Sequence, residues 1–184
     1  MRITKSSLDQ TDKFTGFQCV AQSDHAYIHQ GIGFGLSGTT GSLAAAATHS
    51  ISFITPNNGK YIHWRPTGLS STANTLQMRL AEESVMSSGN AATPKNHNRN
   101  SHTVSSVTIA TAATLTTEGT ILQYAQVGGG TNAGNASGGG SDGSAEEWVL
   151  KPNTTYSIRF ENVGASTATV GYYNLFWYEE SSGE

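Results

Sequence analysis

Residues 167–180, TATVGYYNLFWYEE, are apolar on both faces of any strand they form. Side chains alternate along a strand, so Tyr172, Phe176 and Tyr178 fall on one side and Tyr173, Leu175 and Trp177 on the other. Such a strand needs cover above and below. A chain that contains it must therefore be layered, with this segment at the centre of a sheet or covered twice.

The rest of the chain offers partners for it. HSISFIT (49–55) runs through Pro56-Asn57-Asn58-Gly59 into KYIHWR (60–65), which reads as a β-hairpin. TLQMRLAEE (75–83) sets Leu76, Met78 and Leu80 against Gln77 and Arg79, the alternation of a half-buried strand. TVSSVTIA (103–110) and GTILQYAQ (119–126) are rich in β-branched and aromatic residues and read as sequential strands. EEWVL (146–150) turns at Lys151-Pro152-Asn153-Thr154 into TYSIRFE (155–161), with Tyr156, Ile158 and Phe160 on one side and Arg159 and Glu161 on the other. GIGFGLS (31–37) reads as a first strand weakened by glycine. Strands of this length separated by Gly, Pro and Asn turns, with no convincing helix, predict an all-β, antiparallel β-sandwich, jelly-roll-like. A Greek-key sandwich with another strand order is the alternative.

VGGGTNAGNASGGGSDGS (127–144) has the composition of an interdomain linker. Only 40 residues follow Ser144, however, and two or three aromatic strands cannot stand alone. Residues 146–180 must pair with strands before the glycines, so 31–184 is read as a single β-sandwich domain with a long Gly-rich loop at 127–145. Residues 1–30 are polar, with only Phe14, Phe17 and Val20 as an apolar patch, and read as an N-terminal arm lying against something else.

Charged residues make up 12% of the chain, with Ser, Thr, Asn and Gly taking their place. Few long charged side chains suits a surface given over to contacts with other subunits. A net charge of −3 without a basic run argues against a nucleic-acid partner. Cys19 is the sole cysteine, so neither an internal disulfide nor a Cys-based zinc site can form. MRITKSSLDQTDKF has no apolar stretch after its basic residues, and neither a signal peptide nor a membrane contact is expected.

No constellation singles out a catalyst, and no enzymatic activity is expected. His25 and His29, at i and i+4, would share a helix face as two zinc ligands do, but they lack an adjacent Glu and a third ligand at diagnostic spacing. They are read as structural or interface histidines, with no metal and no cofactor. The acid pairs Glu82-Glu83, Glu146-Glu147 and Glu179-Glu180 invite comparison with the paired carboxylates of glycosidases. Adjacent acids on a strand point to opposite faces, though, and serve to keep strand ends soluble. Asn98, Arg99 and Asn100 form a donor-rich cluster in which an Arg fork could grip a carboxylate such as Glu146 or Glu147. A solvated turn is the equal alternative.

Taken in order, DHAYIHQG, NHNRNS, the glycine-rich stretch, EEWVLKPNTTYSIRF and FWYEE resemble a family of small tailed-bacteriophage virion proteins. That family carries an Asp-His-Ala…His-Gly segment, an Asn-Arg-Asn-Ser turn, a Gly-rich loop, Glu-Trp-Ile-Leu-Lys-Pro-Asn-Thr-x-Tyr and a closing Trp/Phe-Tyr-Glu. The match falls on His25 and His29, on Asn98 to Ser101, and on Glu147 to Tyr156. The family's Arg in or after the glycine loop is missing here, where only Asp142 carries charge. The resemblance implies a capsid decoration (cement) protein, a β-sandwich homotrimer bound to the major capsid protein on the outer surface of the phage head. Phe14, Phe17, His25, His29, Asn98, Arg99, Asn100, Asp142, Glu147 and Trp148 are then the candidate subunit and capsid contacts. The alternative is a virion fibre or spike head recognising host-surface glycans, with Tyr and Trp of the last strand stacking on sugar.

Overall fold

The computed structural model describes residues 23–128, 147–164 and 167–181. Phe14, Phe17, Asp142 and all but the first residues of the Gly-rich loop lie outside them. Among the described residues a short helix, α1 (Ser23–His29), precedes β1 (Gly33–Leu43), β2 (Thr48–Ile54), β3 (Lys60–Ser71) and β4 (Leu76–Glu82). Five short strands follow, β5 (Val85–Ser87), β6 (Asn90–Ala92), β7 (Lys95–Asn96), β8 (Thr108–Thr111) and β9 (Thr114–Thr117). The chain ends with β10 (Thr120–Val127), β11 (Trp148–Leu150), β12 (Thr155–Asn162) and β13 (Thr169–Ser181).

Two antiparallel sheets form a sandwich. One has the order β11-β3-β13-β1-β7 and the other β10-β4-β12-β2-β8-β6. Setting aside the five short strands of the 83–119 segment, the long elements run sixth-third-eighth-first in one sheet and fifth-fourth-seventh-second in the other. That is the jelly-roll arrangement of two interlocked Greek keys. β13 takes the central place that its two apolar faces require, with β3 and β1 on either side.

The expected hairpin of residues 49–65 does not form. β2 pairs with β12 and β8, whereas β3 pairs with β11 and β13. The turn at Pro56–Gly59 instead carries the chain from one sheet to the other. Burial explains the choice, because both strands present one apolar face and both are satisfied by facing each other across the core. Phe53 of β2 meets Trp64 of β3 edge-on at 5.4 Å between ring centroids, and Trp177 of β13 at 5.2 Å. Likewise β8 and β10, expected to be sequential, are separated by β9 and do not pair, and residues 103–107 are not strand. The alternation read in β4 and β12 holds: Leu76, Met78, Leu80, Tyr156, Ile158 and Phe160 are all buried.

Between β4 and β10 the chain detours along one side of the sandwich. There β8 and β6 extend the second sheet beyond β2, while β7 extends the first beyond β1. β1 is thereby paired at Phe34 and Gly35 and β2 at Ser52 to Ile54, which leaves only short strands, β6 and β7, as the sheet edges on that side. β5 and β9 form a separate two-stranded ribbon.

Glu179 fastens this detour to the sandwich. Its side chain is 1% exposed and sits on the core side of β13. It accepts hydrogen bonds from Ser105 Oγ at 2.6 Å, from Ser106 N at 3.0 Å and from the Ser106 hydroxyl, and pairs with Lys60 Nζ at 3.1 Å. Burial alone would raise its pKa, but these donors outweigh burial and hold the carboxyl below its ordinary value. A carboxylate depressed in the folded state stabilises the fold above its unfolded pKa and loses that contribution as pH falls through the folded value. Glu179→Gln should therefore lower stability by about 1–3 kcal/mol at pH 7. The gap to the native chain should close in thermal unfolding series run downward from pH 4.5, the ordinary carboxyl value.

Candidate functional site

The outer face of the β11-β3-β13-β1-β7 sheet is where the candidate residues gather. Its construction begins with the glycines of β1. Gly33 and Gly35 alternate with Phe34, which is buried in the core, so the opposite side of the strand carries no side chain at these positions. α1 and the turn after β7 settle into that gap. A Cβ at Gly35 would lie 2.5 Å from His97 Nε2, and one at Gly33 would touch Ile28. What reads as a weakened strand is a slot for the elements above it. Gly31 ends the helix with a φ of 72°, a conformation that favours glycine, and its N–H donates to Ile28 O at 2.9 Å.

Residues 23–29 of the expected arm thus lie on the protein's own sheet. Tyr27 is the anchor. Its ring stacks on Tyr178 at 3.9 Å, and Tyr178 also stacks on His63 at 4.3 Å. Beside the stack, Glu147 Oε1 accepts from the Tyr178 hydroxyl at 2.6 Å and from His63 Nδ1 at 2.9 Å. A carboxylate oxygen can only accept, so the His63 proton is on Nδ1. His63 Nε2 faces Glu180 Oε2 at 3.5 Å, and Arg65 Nε lies 4.0 Å from the second oxygen of Glu147. Burial works to raise the Glu147 carboxyl, yet Tyr178, His63 and Arg65 together bring it below its ordinary value. Burial, and then the bond to Glu147, push the Tyr178 hydroxyl well above the usual tyrosine range.

The turn after β7 closes the other flank. Asn96 is buried, and its Nδ2 donates to Gly31 O at 2.8 Å and Thr103 O at 3.1 Å while its Oδ1 accepts from Asn98 N at 2.9 Å. Asn98 Nδ2 donates to His29 O at 3.2 Å, and Asn98 Oδ1 accepts from Asn100 N at 3.1 Å. His97 packs on Phe176 at 4.9 Å, and burial pushes its pKa down.

His25, His29, Asn98, Asn100 and Glu147, distant in sequence, are thus brought to one face. Arg99 belongs to the same turn but forks no carboxylate among the described residues, and Glu146, the other expected partner, lies outside them. Arg99 Nη1 donates to Asn96 O at 3.5 Å, and Glu147 is already engaged by Tyr178, His63 and Arg65. Trp148 faces the other way, opposite Trp64 and packed against the core. The sequence reading missed Tyr27, His63, Asn96 and His97. The alternate-residue spacing of Gly31, Gly33 and Gly35 was the signal for them, since a strand face stripped of side chains implies something lying upon it.

The second sheet is finished differently. On its outer face Arg79 pairs with Glu161 at 2.5 Å and with Glu118 at 3.1 Å, and Arg159 reaches the same two acids at 3.2 and 3.5 Å. Beside Arg159 lies a depression of about 380 Å³ lined by Thr48, Ser50, Ala113, Thr114 and Leu115. Glu82 and Glu83 are also engaged: Lys151 Nζ lies 3.0 Å from both, which push it up to about 12. Glu179 and Glu180 point to opposite faces, as adjacent strand residues must.

Comparisons with known protein families, with curated proteins and with solved structures find no match.

Tyr27→Ala should remove the stack on Tyr178 and lower stability by about 1–2 kcal/mol. Amide exchange at Ile28 to Gly31 should quicken while the core strands keep their protection, and Tyr27→Phe should restore both.

Proposed function

We propose that the protein is a bacteriophage capsid decoration protein that binds the head surface as a homotrimer. One observation carries the reading. The sequence segments that resemble phage virion proteins lie far apart in the chain, yet α1, the 96–101 turn, Glu147 and Tyr178 meet on one outer face and are tied to each other by hydrogen bonds and ring stacking. A face assembled from several segments and rich in Asn, Ser and His suits docking on another protein, where polar groups set register around a few aromatic anchors. The jelly roll itself supports the reading, being an architecture of viral capsid domains. On a symmetric shell, three weak contacts per trimer would add through multivalency.

The glycan-binding alternative draws support from the depression beside Arg159, whose threonine and serine hydroxyls could meet a sugar. Its expected stacking platform is largely spent, because Tyr173, Trp177 and Tyr178 are buried and only Tyr172 is exposed on the last strand.

Purified protein mixed with undecorated heads should co-sediment to saturation and raise the temperature at which the shells open, and should sediment as a trimer alone. Asn100→Arg, an exposed change in the turn, should weaken head binding about tenfold, or ~1.4 kcal/mol. Failure to bind heads together with binding to host cells would instead favour the glycan reading.

A further inference from the structure

α1 carries two imidazoles that, among the described residues, bond only to each other. His25 and His29 are exposed, and their Nε2 atoms face each other at 2.9 Å with the rings inclined at 65°. In the neutral pair one Nε2–H donates to the lone pair of the other. With that proton lost, a turn of both rings lets the two lone pairs meet at one ion held to the side of the line between the nitrogens.

We propose that His25 and His29 form a two-imidazole chelate for a first-row transition-metal ion, with Cu2+ bound most tightly and Ni2+ and Zn2+ after it. The spacing supports this. At metal–nitrogen distances of about 2.0–2.1 Å, two ligands at a right angle are about 3.0 Å apart and two tetrahedral ligands about 3.3 Å apart. The observed 2.9 Å matches the right angle to within about 0.1 Å, the geometry of tetragonal Cu2+ and Ni2+ sites, and a tetrahedral ion would need an opening of about 0.4 Å.

The support is also fixed in place. Between the two histidines Tyr27 is stacked on Tyr178, and the carbonyl of His29 accepts from Asn98 Nδ2 at 3.2 Å, so neither end of the turn is free to splay. Among the described residues no group of three or more His, Cys, Asp or Glu side chains could hold a metal, so the proposed site takes two ligands from them. The bound ion would close one turn of a seven-residue helix, too short to hold its shape in isolation, and would reinforce its seat on the sheet. This inference is independent of the capsid reading.

The test is titration of the full-length chain with CuCl2, NiCl2, ZnCl2 and MgCl2, followed by calorimetry and thermal unfolding. Saturable one-to-one binding is expected for the first three and none for Mg2+, which prefers oxygen ligands. His25→Ala and His29→Ala should each weaken binding about tenfold or more and abolish the metal-induced rise in melting temperature, because each removes half of the chelate. His102→Ala, another exposed histidine, should change neither. His25→Gln and His29→Gln, chosen to keep a polar side chain, should match the alanine variants, and melting without metal should show all of them folded. Paramagnetic resonance of the Cu2+ complex should reveal two equatorial nitrogens. Equal Cu2+ affinity in the native chain and in either single variant, or absence of saturable binding, would overturn the proposal.

Discussion

Burial of β13, complete along the core face and extended to its outer face at Phe176 and Tyr178, is the constraint around which the molecule is organised. Its inner face supplies Tyr173, Leu175 and Trp177 to the core, and no sandwich of two sheets can cover its outer face as well. Around Phe176 and Tyr178 that second face is covered from outside by α1 and by the turn after β7, with Tyr27 on Tyr178 and His97 on Phe176, while Tyr172 stays exposed. The layer above the sheet is therefore a requirement of the strand beneath it. The glycines of β1 make room for it, and beside it Glu147 engages the Tyr178 hydroxyl, His63 and Arg65.

Polar groups are handled with the same economy throughout. Glu179 is buried but surrounded by the donors of Ser105, Ser106 and Lys60, which lets one carboxylate hold the 103–107 segment against the sandwich. Asn96 does comparable work with a neutral amide, linking the end of α1 to the segment that leaves β7. A buried group satisfied by several chain segments fixes their relative positions, whereas the same residue at the surface would fix nothing. The low charge of the sequence is consistent with this: much of its polarity consists of Ser, Thr and Asn bonded to backbone.

The sequence made some of this legible and concealed the rest for identifiable reasons. Alternation in β4 and β12, and the two-faced pattern of β13, are periodic signals written by burial itself, and strand identity followed from them. Pairing was harder. The Asn-Gly turn between β2 and β3 is compatible with either a hairpin or a crossover, and the choice depends on Phe53 meeting Trp64 from the opposite sheet, a contact that no local pattern encodes. At the candidate site, His25, His29, Asn98, Asn100 and Glu147 were accessible as unusual polar clusters. Tyr27 and His63 were not, because an aromatic residue that covers a sheet looks in sequence like one that fills a core.

The position of β13 bears on how the chain reaches its native state. The strand at the middle of the five-stranded sheet is made after every other described strand, and β1, its neighbour, waits from the start of the sandwich for a partner more than 120 residues away. Until residue 181 has left the ribosome, β1 and β3 have no shared neighbour and Phe53 lacks one of its two tryptophans. The pairings of this strand with β1 and β3 join segments far apart in the chain, a topology of non-local contacts that folds slowly. Edges exposed during that interval are the point at which a growing chain is most open to pairing with a copy of itself.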